Sequence, residues 1–546
     1  MPMDLRTAEP LGELRLLVAI ASFGSRNLSV LQKVLETYQD MSLQVDLIVL
    51  SNVQKDVGSA VEVIVGLPSK NPWSLPFAHK PIFAERVNDY DLFAYSEDDI
   101  EVTEKNIRAF LAISAQLRSD EVAGYLRYEK DCDGELWFPD VHGEFHWRPE
   151  SAVSRGSETI AEFTNEHSAF YLLNRHQLKR AIASKGFLVG PHAGRYDMLC
   201  SAATDPYTRC GFRKVICISQ IDSFLIHHLP NRYVRQVGAP DRAIRRQVQT
   251  LLKISQGNHP VSVLGPVEPK TSENRWAKDF YERPENSAMH FVPSHVRTLL
   301  SIGCGSGAPE ADLVRQGIKV TALPLDSVVG SMAAERDIEV IYSSLDEGLD
   351  IIRDRKFDCV VLSHFLHLMP DPETLLKRCA ELLRARGTML LSGPNFAYLP
   401  ILMGRYLRSS RYEDLDSFDK SGVNVFTINQ LKTWLRRANL RPDLIAWQNG
   451  KTNGTISGSI PRSTWYRATL TEAWNWLKRL ATAQPIRAER PYAMALAQDV
   501  VARFTAENWI LMAGQSHTVP HDPTGSLTTA SVRSAIEDAV EDSILR

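Results

Sequence analysis

The sequence has few cysteines, no long apolar run and almost no net charge, and each absence excludes a class of protein. Its seven cysteines are an odd number and no two stand as Cys-x-x-Cys, which argues against a disulfide framework and a zinc site. No stretch reaches the roughly 18 apolar residues of a membrane-spanning helix, and the first residues lack a signal-peptide pattern. A net charge of −3 indicates no nucleic-acid partner. The default expectation is a cytoplasmic protein, with peripheral membrane contact left open.

The first part of the chain alternates between apolar runs that are typical of strands and apolar residues at helical spacing. Residues 14–24, 45–50 and 61–65 are apolar runs typical of strands, and residues 27–38 carry apolar side chains at helical spacing. Strands and helices that alternate at such short intervals are typical of a mostly parallel α/β sheet.

Length and composition divide the chain into parts. A chain of 546 residues is too long for one hydrophobic core and predicts two to four domains. Residues 14–238 hold the first α/β pattern and residues 273–515 hold a second one. The polar stretch 239–272 is interpreted as a linker, and 516–546 as a flexible tail. The predicted fold class is therefore α/β, with two doubly wound domains.

The strongest pattern is an apolar run that ends in a glycine turn, LLSIGCGSG from Leu299 to Gly307. The run predicts a buried strand, and glycines without side chains would let backbone N–H groups approach a ligand closely. Its Gly-x-Gly-x-Gly spacing differs from the Gly-x-Gly-x-x-Gly of dinucleotide-binding folds. The turn therefore favours a nucleoside ligand without a pyrophosphate.

This turn resembles the first motif of class I S-adenosylmethionine-dependent methyltransferases. Residues 357–372 and 382–395 are similar to the fourth-strand and fifth-strand signatures of that family, and 507–512 resembles its closing strand. The resemblance implies a Rossmann-like domain over residues 273–515 with S-adenosylmethionine as its cofactor. The cofactor-binding residues it implies are Ser301, Gly303, Cys304, Gly305, Gly307, Asp326 and Ser363.

Three details of this resemblance leave alternatives open. His364 and His367 are candidate bases for the methyl acceptor, but each also fits a residue that caps a turn or packs near the pocket. Cys304 fits a small filler better than a nucleophile. The family usually ends its second strand with an acid that binds the ribose hydroxyls, and here Pro324 stands at that place. Because proline cannot supply those hydrogen bonds, Asp326 is the predicted substitute.

Three consecutive acids, Glu97, Asp98 and Asp99, follow the strand predicted at 91–95. Adjacent carboxylates repel one another unless a cation or several donors neutralise them. Open α/β sheets bind ligands at such strand ends. The pattern favours a metal–phosphate site over a solvated turn.

Residues 14–238 resemble, more weakly, the nucleotide-sugar-dependent glycosyltransferases of the GT-A fold, family 2-like. The features that carry this are Ser22 after the first strand, the acidic segment in place of Asp-x-Asp, and the pair His227 and His228. The resemblance implies a divalent metal, commonly manganese in this family, held by Glu97, Asp99 and one of the two histidines. It places Ser22 and Asp98 at the nucleotide-sugar.

The remaining roles in this domain stay open. His227 and His228 fit a structural role as well as ligation. An inverting mechanism would need a carboxylate base, for which Glu166 and Asp197 are candidates, although each also fits an ordinary loop acid. A retaining mechanism is equally open.

The two resemblances together imply a bifunctional transferase. It would transfer a sugar from a nucleotide-sugar donor and a methyl group from S-adenosylmethionine to a glycan or glycolipid acceptor, such as a surface-polysaccharide precursor. The alternative is that only one domain is catalytic and the other is a binding or scaffolding module.

Overall fold

The computed structural model describes residues 11–139, 145–265, 267–271, 276–284, 288–406, 415, 417–448 and 508–515. Its strands are, in chain order, β1 (Arg15–Ala21), β2 (Gln44–Ser51), β3 (Val61–Val65), β4 (Leu92–Glu97), β5 (Ile100–Glu101), β6 (Glu121–Ala123), β7 (Leu126–Lys130), β8 (Leu136–Phe138), β9 (Val153–Arg155), β10 (Glu158–Ala161), β11 (Phe170–Asn174), β12 (Arg213–Cys217), β13 (Leu225–His228), β14 (Ala239–Pro240), β15 (Thr298–Cys304), β16 (Lys319–Pro324), β17 (Glu339–Val340), β18 (Phe357–Ser363), β19 (Leu383–Pro394), β20 (Leu440–Gln448) and β21 (Asn508–Gln515).

The helices alternate with these strands in both parts of the chain. They are α1 (Leu28–Gln39), α2 (His79–Glu85), α3 (Glu104–Ser114), α4 (Arg175–Ala183), α5 (Met198–Thr208), α6 (Asp241–Ser255), α7 (Ala308–Arg315), α8 (Ser327–Ala334), α9 (Leu345–Ile351), α10 (Pro372–Glu381), α11 (Leu399–Tyr406), α12 (Phe418–Ser421) and α13 (Ile428–Arg437).

The N-terminal part is built on a five-stranded sheet of order β11-β4-β1-β2-β3. Strands β4, β1, β2 and β3 run parallel, which confirms the prediction of a mostly parallel sheet. Strand β11 pairs antiparallel with β4 at one edge, a feature that was not predicted. Two smaller sheets, β6-β12-β10-β9 and β14-β8-β7-β13-β5, complete this part.

Apolar periodicity explains how these elements pack. Strand β1 is buried from Leu16 to Ala21, as expected for a central strand covered on both faces. Helix α1 buries one stripe against the sheet, at Leu31, Val34, Leu35 and Tyr38.

The C-terminal part holds a seven-stranded sheet of order β17-β16-β15-β18-β19-β21-β20. The first five strands in this order, from β17 through β15 to β19, run parallel. Strand β21 lies between β19 and β20 and runs antiparallel to both. The predicted closing strand at 507–512 thus corresponds to β21. The parallel strands bring the ends of β15, β16 and β18 to one edge of the sheet.

The sequence of residues 71–76 predicts a loop, and this prediction is wrong: the stretch lies mostly in a 3₁₀ helix, Pro72–Ala78, where the Asn71 side chain accepts a hydrogen bond from the Trp73 N–H at 3.0 Å. The strand that the sequence predicts at 387–391 is confirmed within β19, which begins earlier, at Leu383.

The stretch interpreted as a linker contains α6, which packs against both parts of the chain. Its apolar face enters the N-terminal core through residues such as Ile244 and Leu251, and the same core cluster includes Val328 and Met332 of α8. The domain boundaries remain a prediction, and the predicted tail 516–546 lies outside the described residues.

None of the described helices combines the length and apolar character that crossing a membrane requires.

Candidate functional site

The glycine turn lies where β15 leads into α7. Gly303 and Gly307 have φ angles of +78° and +75°, a conformation that side chains on L-residues disfavour. Gly307 is the residue at which the chain enters α7. The sequence therefore needs glycine at both positions to make the turn at all.

Protein atoms lie close to all three glycines of the turn. A Cβ atom would overlap the Phe365 ring at Gly303, the Phe280 carbonyl at Gly305, and Ala333 at Gly307. The Phe280 carbonyl also accepts a hydrogen bond from the Ser306 N–H at 2.8 Å. The segment 276–284, which precedes β15, therefore packs directly on the turn.

That segment brings two buried charges to the turn that sequence analysis did not identify. The Lys278 ammonium lies 2.6 Å from the Glu282 carboxylate, and Lys278 is 1% exposed. Burial raises the pKa of Glu282, but the ammonium outweighs it and holds that pKa below its ordinary value. The pair is therefore charged. The i, i+4 spacing was its only signal in the sequence, and such spacing usually marks a solvated pair.

Ser363 connects this ion pair to the end of β18. Its hydroxyl donates to Glu282 Oε1 at 2.9 Å and lies 3.2 Å from the Ser392 hydroxyl on β19. Ser301 in β15 donates to Glu310 Oε1 at 2.7 Å, and burial raises the pKa of Glu310. These side chains form one buried polar edge across three strands.

Cys304 is 2% exposed in this edge. Burial raises the pKa of its thiol well above the ordinary value, so the thiol stays protonated. That state suits a packing residue.

The two candidate bases differ in their surroundings. His364 is partly buried next to Ser363, with a φ of +46°, and burial lowers its pKa to about 4. His367 is 1% exposed, and its Nε2 donates to the Trp276 carbonyl at 2.8 Å. This contact fits the packing alternative for His367, whereas His364 is the more accessible ring.

Asp326 follows β16 at the same edge. Its Oδ1 accepts hydrogen bonds from the Val328 and Val329 N–H groups at 2.7 and 2.8 Å, so it caps α8. Burial raises its pKa to about 7. The ribose contact of Asp326 stays a prediction. The Asp326 carboxyl group already caps α8 through Oδ1.

The charges at this edge fit S-adenosylmethionine. The amino-acid end of the cofactor carries a carboxylate and an ammonium, and Lys278 and Glu282 offer the opposite charges side by side. The turn and Asp326 lie at neighbouring strand ends, where open α/β sheets bind nucleosides.

In the N-terminal sheet, Asp98 lies at the end of β4 beside the end of β1. Ser22 donates to its Oδ2 at 2.5 Å and Asn27 to its Oδ1 at 3.0 Å. Burial raises the pKa of Asp98, and the two donors and Lys55 counteract this effect. Ser22 and Asp98 are therefore in direct contact, whereas their role at a nucleotide-sugar stays a prediction.

The four predicted metal ligands are not brought together. His228 Nε2 lies 3.3 Å from Asp99 Oδ2, and its Nδ1 lies 2.5 Å from Glu129. His227 lies instead between Glu101 and Asn231. No three His, Cys, Asp or Glu side chains in the described parts of the chain are arranged to hold a metal ion.

The charge states of this group follow from those contacts. Burial alone would lower the pKa of His228, but Asp99 and Glu129 outweigh it and raise that pKa. The Glu97 carboxyl has a pKa raised to about 8 by burial and by Asp99, and its Oε1 has no hydrogen-bond partner. Because His228 is engaged on both nitrogens, the observed donor set does not fit a metal ion, and we derive no step through one.

The two candidate carboxylate bases, Glu166 and Asp197, have different contacts. Glu166 contacts Arg195 at 2.9 Å and accepts from the Tyr196 hydroxyl at 2.6 Å. Asp197 caps α5 by accepting from the Cys200 N–H at 2.9 Å. These contacts fit the alternative of ordinary loop acids.

Comparison with known proteins addresses the C-terminal part of the chain. Residues 242–444 match a family described as "Methyltransferase domain". A ubiquinone biosynthesis O-methyltransferase of Alkalilimnicola ehrlichii is 29% identical over 153 residues, which are 26% of this chain and 60% of that protein. The enzyme of the same name from Xanthomonas campestris is 32% identical over 102 residues, 18% of this chain and 43% of that protein. The chain thus spans about half the length of these curated relatives.

Among solved structures, a SAM-dependent methyltransferase from Archaeoglobus fulgidus is 18% identical. The structural alignment covers 41% of this chain and 90% of the Archaeoglobus chain. Its TM-score of 0.27 is too low to support a conclusion about this protein. The sequence match and the observed sheet define the class: the C-terminal part contains a Rossmann-like methyltransferase domain of the class I, S-adenosylmethionine-dependent type.

Proposed function

We propose that the C-terminal domain transfers a methyl group from S-adenosylmethionine to an acceptor oxygen. The observation that carries the proposal is the match of residues 242–444 to a methyltransferase domain, because that range contains the glycine turn and the polar edge beside it. We choose oxygen because the curated relatives are named as O-methyltransferases.

The residues at this edge have distinct tasks in the proposal. When bound, S-adenosylmethionine supplies an electrophilic methyl group. Lys278 and Glu282 hold its charged amino-acid end and thereby orient it. The His364 ring is neutral at pH 7, since burial lowers its pKa to about 4, so a ring nitrogen can accept a hydrogen bond from the acceptor hydroxyl and orient it. Asp326 would contact the ribose.

Calorimetric titration with S-adenosylmethionine tests this proposal. We expect the wild type to bind it, and Asp326→Ala to bind at least tenfold more weakly because the ribose contact is lost. The matched control is Asp371→Ala, which removes a cap of the same kind from α10. Binding unchanged in Asp326→Ala would refute the ribose contact, and no binding by the wild type would refute methyl transfer.

We further propose that the N-terminal domain, residues 14–238, transfers a sugar from a nucleotide-sugar, so that a glycan or glycolipid is the shared acceptor. The supporting observation is that Asp98 lies at the carboxyl end of β4, in the parallel part of the sheet, held by Ser22 and Asn27. Ligands of open α/β sheets bind at such positions.

Titration of the full chain with UDP, GDP, dTDP and CMP tests the second proposal. We expect one nucleotide to bind and Asp98→Asn to weaken that binding at least tenfold, because Asp98 is the carboxylate at the strand end. Asp222→Asn, at a surface ion pair with Arg245, is the control. If none of the nucleotides binds, the first domain is a binding or scaffolding module and methyl transfer is the remaining activity.

A further inference from the structure

A cavity lies between the N-terminal domain and the segment that packs on the glycine turn. Its volume is about 30 Å³, which is room for about two waters or one small oxyanion group. Its walls are mostly aromatic and aliphatic, with Tyr125, Phe138, Phe163 and Ile244 from the first part of the chain and Tyr281 from the segment 276–284. Its polar lining includes Arg127, Lys214, Asn165 and His167.

Arg127 is a cation of this cavity that has no anionic partner among the described residues. It projects from β7, is half-buried, and its guanidinium makes no hydrogen bond or ion pair with any described residue. A guanidinium that loses part of its hydration without gaining a partner is unfavourable in a folded protein. A guanidinium has five N–H donors in one plane and can bind a phosphate or carboxylate through two parallel hydrogen bonds.

The carboxylates nearest to Arg127 already have other partners. Its charge acts on Glu97 and Asp99, as the lowering of their pKa values by Arg127 indicates. Asp99 is paired with His228, and the Glu97 carboxyl lies 3.9 Å from His167 Nε2. Glu166 is paired with Arg195. Among the described residues, no carboxylate therefore forms an ion pair with this arginine.

Lys214 adds a second cationic group to the same cavity. It is 5% exposed, and its ammonium donates to the Asn165 and Glu166 carbonyls, both at 3.2 Å. Burial lowers its pKa to about 7, so its charge is only partly retained at neutral pH. A bound anion would restore that charge.

We propose that Arg127 and Lys214 form an oxyanion-binding site that receives a phosphate or carboxylate group of a ligand. The site does not depend on the proposed methyl transfer, because both cations belong to the N-terminal domain. It makes a molecule that presents a phosphate or carboxylate group the class of ligand for the cavity.

Calorimetric titration of the full chain with inorganic phosphate, glucose 1-phosphate and glucuronate tests the site. We expect at least one of these three probes to bind saturably, and Arg127→Gln to weaken that binding at least tenfold. Preference for the phosphorylated sugar or for the uronate identifies which group the site takes. Arg86→Gln is the matched control, because Arg86 is already paired with Glu62 on the surface.

Arg127→Lys covers the case in which the glutamine variant does not fold. Lysine keeps the positive charge but cannot form two parallel hydrogen bonds to one anion. We therefore expect binding to weaken severalfold, with an unchanged circular dichroism spectrum. Absence of saturable binding of all three probes to the wild type, or equal affinity in wild type and both Arg127 variants, would overturn the proposal.

Discussion

Gly305 is the residue at which the glycine turn meets the segment before it. A Cβ atom there would overlap the Phe280 carbonyl, which is backbone and cannot rotate away. We expect Gly305→Ala to lower the free energy of unfolding by about 1–3 kcal/mol, as overpacking does, and to abolish S-adenosylmethionine binding.

Thermal unfolding and calorimetric titration measure these two effects of Gly305→Ala. Gly265→Ala is the control, because a Cβ at Gly265 meets no atom within 4 Å. Its unfolding free energy should change by no more than about 0.5 kcal/mol. Equal stability of the two variants would mean that the contact with Phe280 is not tight.

The buried Asp326 carboxyl should make stability depend on pH. Its pKa is raised to about 7 in the folded protein, so between its ordinary value and pH 7 the native state holds a proton that the unfolded chain lacks. The resulting stabilisation is fully present at low pH and is lost as pH rises towards 7, by up to about 1.4 kcal/mol per pH unit. Asp326→Asn keeps the acceptor oxygen but cannot titrate.

Urea unfolding at pH 5, 6 and 7 measures this effect. We expect the wild type to lose stability relative to Asp326→Asn as the pH rises through this range. Asp371→Asn serves as comparison, because the pKa of Asp371 is lowered and its titration lies below pH 5. Parallel pH profiles for wild type and Asp326→Asn would contradict the raised pKa.

Among the elements, α6 connects the two cores. Leu251 is 0% exposed in the N-terminal core, and Thr250 donates to the Ser331 hydroxyl of α8 at 2.8 Å. We expect Leu251→Ala to cost about 2–5 kcal/mol, because it leaves a cavity at this junction. Chemical denaturation checks the value, with the exposed Lys253→Ala expected to change stability by less than about 0.5 kcal/mol. A similarly small change in both variants would show that α6 is only loosely packed.

At the scale of the whole molecule, the two parts meet at an aromatic stack. The rings of His146 and Phe280 are stacked with centroids 4.0 Å apart, and His146 Nε2 lies 3.2 Å from the Glu268 carboxylate. Burial lowers the pKa of His146 to about 3, so the ring is neutral. Because the Phe280 carbonyl bonds to Ser306 in the glycine turn, this stack connects the cofactor edge to the N-terminal domain.

Hydrogen exchange can detect this connection. We expect S-adenosylhomocysteine to slow exchange in the wild type both near the glycine turn and in the region 145–165. His146→Ala should confine the protection to the C-terminal domain, since the stack is lost, whereas the exposed His176→Ala should behave as the wild type. Protection of 145–165 that persists in His146→Ala would contradict a coupling through the stack.

Local signals were sufficient to predict the main elements and part of the site. Apolar runs and helical spacing placed β1, α1 and β18, because each pattern depends only on neighbours along the chain. The glycine turn was recognisable because its backbone conformation needs residues without a side chain. Ser22 and Asp98 were expected near a nucleotide-sugar through a family resemblance, and the hydrogen bond between them was not predicted.

Tertiary packing alone decided which charged side chains are removed from solvent and which groups they contact. Lys278, Glu282 and Lys214 resemble ordinary surface residues in the sequence, since charged side chains are exposed by default. His228 binds two carboxylates because β13 and β7 lie side by side, a pairing between segments about 100 residues apart. Within the described ranges Arg127 has no hydrogen-bond or ion-pair partner for the same reason: its neighbours come from distant segments and already bind one another.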